Sequence, residues 1–169
     1  MNDIIIRKQS ANNTTLNQLQ RWQANSSNSQ YSYLTLSSSE FQATISSVTQ
    51  MLLWNFELWN SSLNDVNQVP FVWSGSAITI PQEGYYVLSL QIQFDGPCTK
   101  TAWIYVNGTV MDAINDSYSS NIMSVSFLRF FAESDILEIG INTNVNVAIV
   151  SNVYNDVNES PILNVVFLR

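Results

Sequence analysis

The sequence predicts an all-β sandwich, and three observations carry that expectation. From Tyr86 the apolar side chains fall on every second position, Tyr86, Leu88, Leu90, Ile92 and Phe94, with Ser89, Gln91 and Gln93 between them. A period of two over this length belongs to a strand with one buried face and excludes an amphipathic helix. Asn107-Gly108, between two runs of strand-forming residues, specifies a tight hairpin turn. Short apolar runs separated by turn residues recur along the chain, the pattern of a sandwich or barrel.

Taken in order, residues 1–47 read as an N-terminal arm and residues 48–169 as the sandwich. Ile4, Ile5 and Ile6 form a short apolar run, and Leu16, Leu19 and Trp22 share one side of a small helix capped by Thr14 or Thr15. At about ten residues that helix is shorter than the ~12–15 at which isolated helices become marginally stable, so it requires a partner surface. These six apolar residues are the expected anchor. Residues 25–30 form a polar linker, and Tyr33 and Phe41 mark short strands at the border of the sandwich.

Beyond the arm, Met51–Trp59 alternates as a strand with Leu52 and Trp54 on one face, and 61–68 is a loop. Short strands at 71–73 and 78–80 flank a Ser-Gly-Ser turn. Pro81 sits at a strand end, where its missing N–H costs nothing, and Gly84 where a turn needs freedom from a Cβ. The central strand spans 85–94, followed by a turn at 95–98 and a strand at 101–106. The hairpin at 107–108 leads into 109–111 and then a long loop at 112–121. Strands at 122–132, 136–143, 145–151 and 162–169 complete the chain.

The run Ile78-Thr-Ile-Pro-Gln-Glu-Gly-Tyr-Tyr-Val-Leu-Ser89 resembles the signature of the tumour necrosis factor and complement globular-head superfamily. Tyr105-Val-Asn-Gly108 is similar to that family's strand ending in Asn-Gly. Phe127–Asp135 followed by Leu137, Ile139 and Ile141 resembles its strand, turn and next strand, with Ser134 where glycine is usual. Ile162–Leu168 resembles its last strand. The resemblance covers roughly residues 48–169. It implies a TNF-like jelly-roll sandwich assembled as a homotrimer and no single activity, because a fold does not fix a function.

Composition narrows the function classes. The chain has 169 residues, a net charge of −7 and only 11% charged residues, with Asn, Ser, Gln and Thr in place of charge. Such a surface suits packing in an assembly, or simply reflects an AT-rich coding sequence. The negative field disfavours nucleic acid and anionic membrane surfaces as partners. Histidine is absent, which removes the commonest general base and the commonest metal ligand together. Cys98 is alone and reads as a partly buried thiol. Asp112 and Asp116 share a stretch with Asn115 and Asn121, which leaves a weak Ca²⁺ site conceivable, but the spacing lacks a bidentate glutamate and reads as a solvated loop. Asp135 reads as a turn cap. Asn-x-Ser/Thr triplets at Asn12, Asn13, Asn25, Asn60, Asn107, Asn115 and Asn158 are expected to stay unused. With no phosphate loop, metal cluster or nucleophile elbow, no catalytic residue, metal or cofactor is expected.

Aromatic residues exceed the needs of one thin core: Trp54, Trp59, Trp73, Trp103, Tyr85, Tyr105, Phe130 and Phe131. A core takes one face of each strand, so the second face covers a partner. Tyr85, Trp103, Tyr105 and Phe130 are the expected interface of a homotrimer, the usual solution for such a surface being closed rotational symmetry. The functional expectation is a virion or particle-surface structural protein, a fibre head, spike or capsid decoration. Its arm would bind other particle proteins, and its far end a cell-surface receptor or glycan. The alternative is a soluble or spore-surface recognition protein of cellular origin. No signal peptide is read at the N-terminus, so synthesis in a cytoplasm is expected.

Overall fold

The computed structural model describes residues 32–38, 40, 42–60, 69–150 and 161–168. The expected helix and the anchor residues Ile4, Ile5, Ile6, Leu16, Leu19 and Trp22 lie outside the described residues. Ser32–Arg169 form one compact unit.

The unit is a jelly-roll sandwich of antiparallel strands. One layer runs β4 (Phe56–Asn60), β1 (Tyr33–Ser37), β11 (Ile162–Leu168), the first part of β7 (Gly84–Val106) and the second part of β8 (Thr109–Phe131). The other runs β5 (Val72–Ser74), β6 (Ala77–Thr79), β9 (Ile136–Thr143), the second part of β7 and the first part of β8. β3 (Gln50–Met51) lies beside the end of β9, and β2 (Gln42–Ala43) pairs with β10 (Ala148–Ile149), which meets β7 at Phe94. β7 and β8 therefore belong to both layers and tie them together.

Alternation decides which side chains enter the core. Tyr86, Leu88, Leu90, Ile92 and Phe94 are each 1% exposed or less. Their register partners on β11, Phe167, Val165 and Leu163, are buried with them, as are Leu34 and Leu36 of β1. The facing layer contributes Ile78, Leu137, Ile139, Ile141, Ala102 and Ile104. Tyr86 anchors one end, with rings of Phe71, Phe131 and Phe167 around it and its hydroxyl donating to the Gln82 carbonyl at 2.7 Å. Burial pushes that phenol up to about 12. Gly84 is required here for a steric reason. Its φ is 151°, and a Cβ would run into the Phe167 ring.

The structure corrects the sequence reading at four places. The expected turn at 95–98 is continuous strand: β7 carries on through it with register shifts around Cys98. The expected loop at 112–121 is also strand, the middle of β8. Its polarity marks solvent exposure at an edge, not irregular backbone. The single strand expected over 51–59 is instead β3 and β4 with a crossing outside either strand ladder between them, because the chain leaves one layer for the other there. Leu52 N–H bonds to Ile139 and Trp54 N–H to Gly75, so Leu52 and Trp54 are still buried. Of the strand expected at 145–151, only Ala148–Ile149 is strand among the described residues; beside it Val147 and Val150 keep single backbone bonds to Thr44 and Gln93, and the Thr44 hydroxyl takes the Val147 N–H.

Lys100 explains how β7 and β8 pass between layers. Its side chain is fully buried, in line with the core residues Cys98, Ala102 and Ile104. The ammonium lies 3.1 Å from Asp116 Oδ2 and donates to Ser120 Oγ at 2.6 Å and Ser120 O at 3.0 Å. The carbonyls of Cys98 and Tyr118 stand at 3.3 and 3.4 Å. Asp116, Tyr118 and Ser120 all belong to β8 at its own crossing, so one cation fastens both crossings. Lys100→Ala is therefore expected to cost about 3–5 kcal/mol, because it empties a fully buried position and takes the cation from Asp116, the Ser120 oxygens and the buried Cys98 carbonyl. Asp116→Asn keeps an acceptor oxygen for the ammonium and leaves its four other oxygen partners in place, so it should cost clearly less. Equal costs in reversible denaturant unfolding would contradict this role.

Candidate functional site

The outer face of the β4-β1-β11-β7-β8 layer divides into two halves. In antiparallel pairing, residues opposite each other share a face. Tyr85 pairs with Phe130 and with Leu168, Val87 pairs with Leu128 and with Val166, and Tyr33 pairs with Val166. These seven side chains make an apolar patch at the end of the layer where β7 begins. Tyr85 and Phe130 meet edge to face with ring centroids 5.3 Å apart. They remain 55% and 49% exposed, and Leu128 60%, so the patch is open to solvent in the single chain. Farther along the same face the pairs are polar. Ser89 and Ser126 hydroxyls lie 2.8 Å apart, and Thr35 donates to Asn164 at 2.8 Å.

The patch adjoins an open flank. Among the described residues β8 pairs with β7 alone, so its second edge is free in both layers. Along that flank Ile114, Val125 and Phe127 pack against the core but stay partly exposed. Arg129 reaches across the opening to the Met111 carbonyl at 3.5 Å and toward Asp112 at 3.8 Å. A free edge of this length beside an apolar face is what chains cover by association.

Chain direction gives the sandwich two distinct ends. Ser32 accepts a hydrogen bond from Phe167 N–H at 2.8 Å, so the described chain starts and finishes side by side. The turns at 81–84, 107–108 and 132–135 gather at the same end: Ile80 bonds to Asp135 and Ser134, and Asn107 to Ile136. The apolar patch lies toward this end too. The opposite end holds the Lys100 crossing and the segments 44–47, 95–99 and 143–147. There Asn146 accepts from Ser46 N–H and Asn144 from Thr99 N–H, while Asp95 caps Ala148 N–H. Ile45, Val48 and Val145 are exposed at this end.

Of the four residues expected at an interface, the structure brings together two. Tyr85 and Phe130 sit side by side in the patch. Trp103 and Tyr105 lie on the outer face of the other layer, since Ala102 and Ile104 take the inner positions. Trp103 stands between Gly140 and Ala113 in register, and the Tyr105 ring lies against Gly140 beside Thr49 and Met51. Their own chain partly buries both, which accounts for much of the aromatic excess. Sequence reading missed Leu128, Val87, Val166, Leu168 and Tyr33. The signal was the second face of strands whose first face had been read, but the pairing of the last strand with the central one was needed to use it.

The carboxylates have structural employment. Asp116 is taken by Lys100, and Asp112 bonds its own neighbour Ala113 N–H and faces Arg129. The two do not converge on a common point, and no group of three or more His, Cys, Asp or Glu among the described residues is placed to hold a metal. Cys98 is buried, and burial, set against the nearby Lys100 charge, pushes its thiol up, away from the nucleophilic thiolate. The shallow cleft lined by Gln42, Gln50, Met51 and Leu53 is spanned by its own amides, with Gln42 bonding both backbone groups of Leu53.

No protein-family model matches the sequence, and no curated protein matches it. Solved structures do. The chain is similar to murine APRIL (TM-score 0.57, 15% identity, covering 82% of this chain and 100% of that one). It is also similar to Eiger TNF from S. frugiperda (0.53, 10% identity, 82% and 92%) and to GITRL from bushbaby (0.50, 12% identity, 82% and 95%). At these identities the likeness establishes the fold: an all-β, TNF-like jelly-roll sandwich.

Leu128 is exposed enough that its replacement should hardly affect its own chain. Leu128→Asp is expected to leave the circular dichroism spectrum unchanged while reducing self-association in sedimentation velocity. An unchanged sedimentation coefficient would mean that this face is not a contact surface.

Proposed function

We propose that the protein is the head of a homotrimeric virion or particle-surface component, held at one end through its N-terminal arm and recognising a partner at the other. The observation that carries this reading is the polarity of the sandwich. Within the stretch read as arm, Tyr33–Ser37 is strand β1 of the sandwich, and Ser32, which leads into it, lies beside Phe167 and toward the apolar patch. A rotational assembly that covers the patch brings three arms together at that end. The 44–47, 95–99 and 143–147 segments then face away, on the side where a receptor or glycan would be met.

The trimer in this proposal is heterologous: the open β8 flank of one copy covers the apolar face of the next. A head-to-tail contact of this kind closes into a ring when its rotation is a simple fraction of a turn. Patch and flank adjoin on one molecule, as a small ring requires. The fold likeness to Eiger TNF, APRIL and GITRL supports the shape of the building block. The particle setting rests on the arm, the low charge and the Asn/Ser-rich surface. A cellular recognition protein of the same trimeric build is the competing reading, and it differs in needing no particle.

The test is a chain beginning at Ser32. It should associate and melt as the full chain does but fail to enter particles, assayed by mass spectrometry of purified particles from cells supplying either form. Equal incorporation of both forms would refute the arm as anchor. Absence of the full chain from particles would favour the cellular reading.

A further inference from the structure

Asn107-Gly108 is the one Asn-Gly pair in the sequence, and it has a structural task besides turning the chain. Both residues have positive φ, 52° and 74°, as a two-residue hairpin turn requires. Asn107 Nδ2 donates to Asp135 Oδ1 at 2.8 Å, and its Oδ1 accepts the Ile136 N–H at 2.9 Å. Asp135 in turn accepts the Ala132 N–H through Oδ2 at 2.8 Å. One side-chain amide thus fastens the β7–β8 turn to the β8–β9 turn. Both partners of the fastening are exposed or half-exposed, and there is open space around Gly108.

We propose that Asn107 is a deamidation site whose reaction is held back by Asp135 and Ile136 and which, once reacted, irreversibly removes the side-chain fastening between these two turns, leaving the main-chain bond from Asn107 N–H to the Ile136 carbonyl at 2.9 Å. The Gly108 backbone nitrogen attacks Asn107 Cγ. A C–N bond forms, the Cγ–Nδ2 bond breaks, and the amide proton of Gly108 leaves with the departing ammonia. Water then opens the succinimide ring at either carbonyl, giving aspartate or isoaspartate. Glycine on the C-terminal side favours the attack, having no side chain to crowd the nitrogen. The brake is the pair of hydrogen bonds: the side-chain amide cannot swing over the Gly108 nitrogen without giving up both. Reaction therefore passes through local opening of the joint.

The product cannot remake the side-chain bond to Asp135. A donor to Asp135 has become a carboxylate, so two like charges face each other at hydrogen-bond distance. In the isoaspartate the backbone is also one carbon longer, which the two-residue turn does not accommodate. The end of the sandwich so loosened is the one where the chain joins at Ser32.

The experiment holds the native full chain and the denatured chain at mildly alkaline pH and follows amide-to-acid conversion by peptide mass spectrometry. Residue 107 of the native chain should convert before any other asparagine, roughly tenfold or more slowly than in the denatured chain. Asp135→Ala should raise the native rate roughly fivefold, the factor one ordinary hydrogen bond is worth. Should that variant not fold, Asn107→Asp is expected to lower the melting temperature, and adding Asp135→Asn to restore most of it by exchanging donor and acceptor. Native conversion as fast as denatured, or first conversion elsewhere, would overturn the proposal. So would a double variant that melts no higher than Asn107→Asp.

Discussion

A single buried ammonium sits where the architecture is most demanding. The two longest strands, β7 and β8, each leave one layer and continue in the other, and at that crossing the ladder loses its regular register. Backbone carbonyls freed there lose their ladder partners, and a buried one such as that of Cys98 would cost of the order of 1–3 kcal/mol if left unpaired. Lys100 meets several of them at once, from inside, with Asp116 balancing its charge. A hydrophobic residue in its place would fill the volume but leave the oxygens unanswered.

Because β7 and β8 serve both layers, each has a face used up by the core in both halves and a second face free in both. The two free faces are handled differently. On one layer Trp103 and Tyr105 are partly covered by their own chain, with Gly140 leaving room for the Tyr105 ring. On the other, Tyr85, Leu128 and Phe130 stay about half exposed. The difference separates aromatics that stabilise the single chain from those available to a second one. It also sets the direction of any assembly, since the uncovered patch lies toward the end where the described chain starts and finishes.

Much of the fold was legible because period-two alternation speaks directly about burial. The central strand, the Asn107-Gly108 turn and the Asp135 cap were all read from local residue chemistry. What stayed hidden was non-local. Residues 112–121 look like a loop by composition, but a strand at a free edge with water on it needs no apolar alternation. Lys100 reads as one of a few scattered cations, because its oxygens come mostly from Asp116, Tyr118 and Ser120, on the next strand. Trp103 and Phe130 look equivalent in sequence. Only the strand pairing sends them to opposite faces of the sandwich.

The central claim, that the uncovered face of the β4-β1-β11-β7-β8 layer is covered by further copies of the same chain, is open to one direct measurement. Multi-angle light scattering of the full chain at micromolar concentration weighs the species in solution without any variant or label. The account predicts the mass of three chains, stable on dilution through that range. A species with the mass of one chain would contradict it.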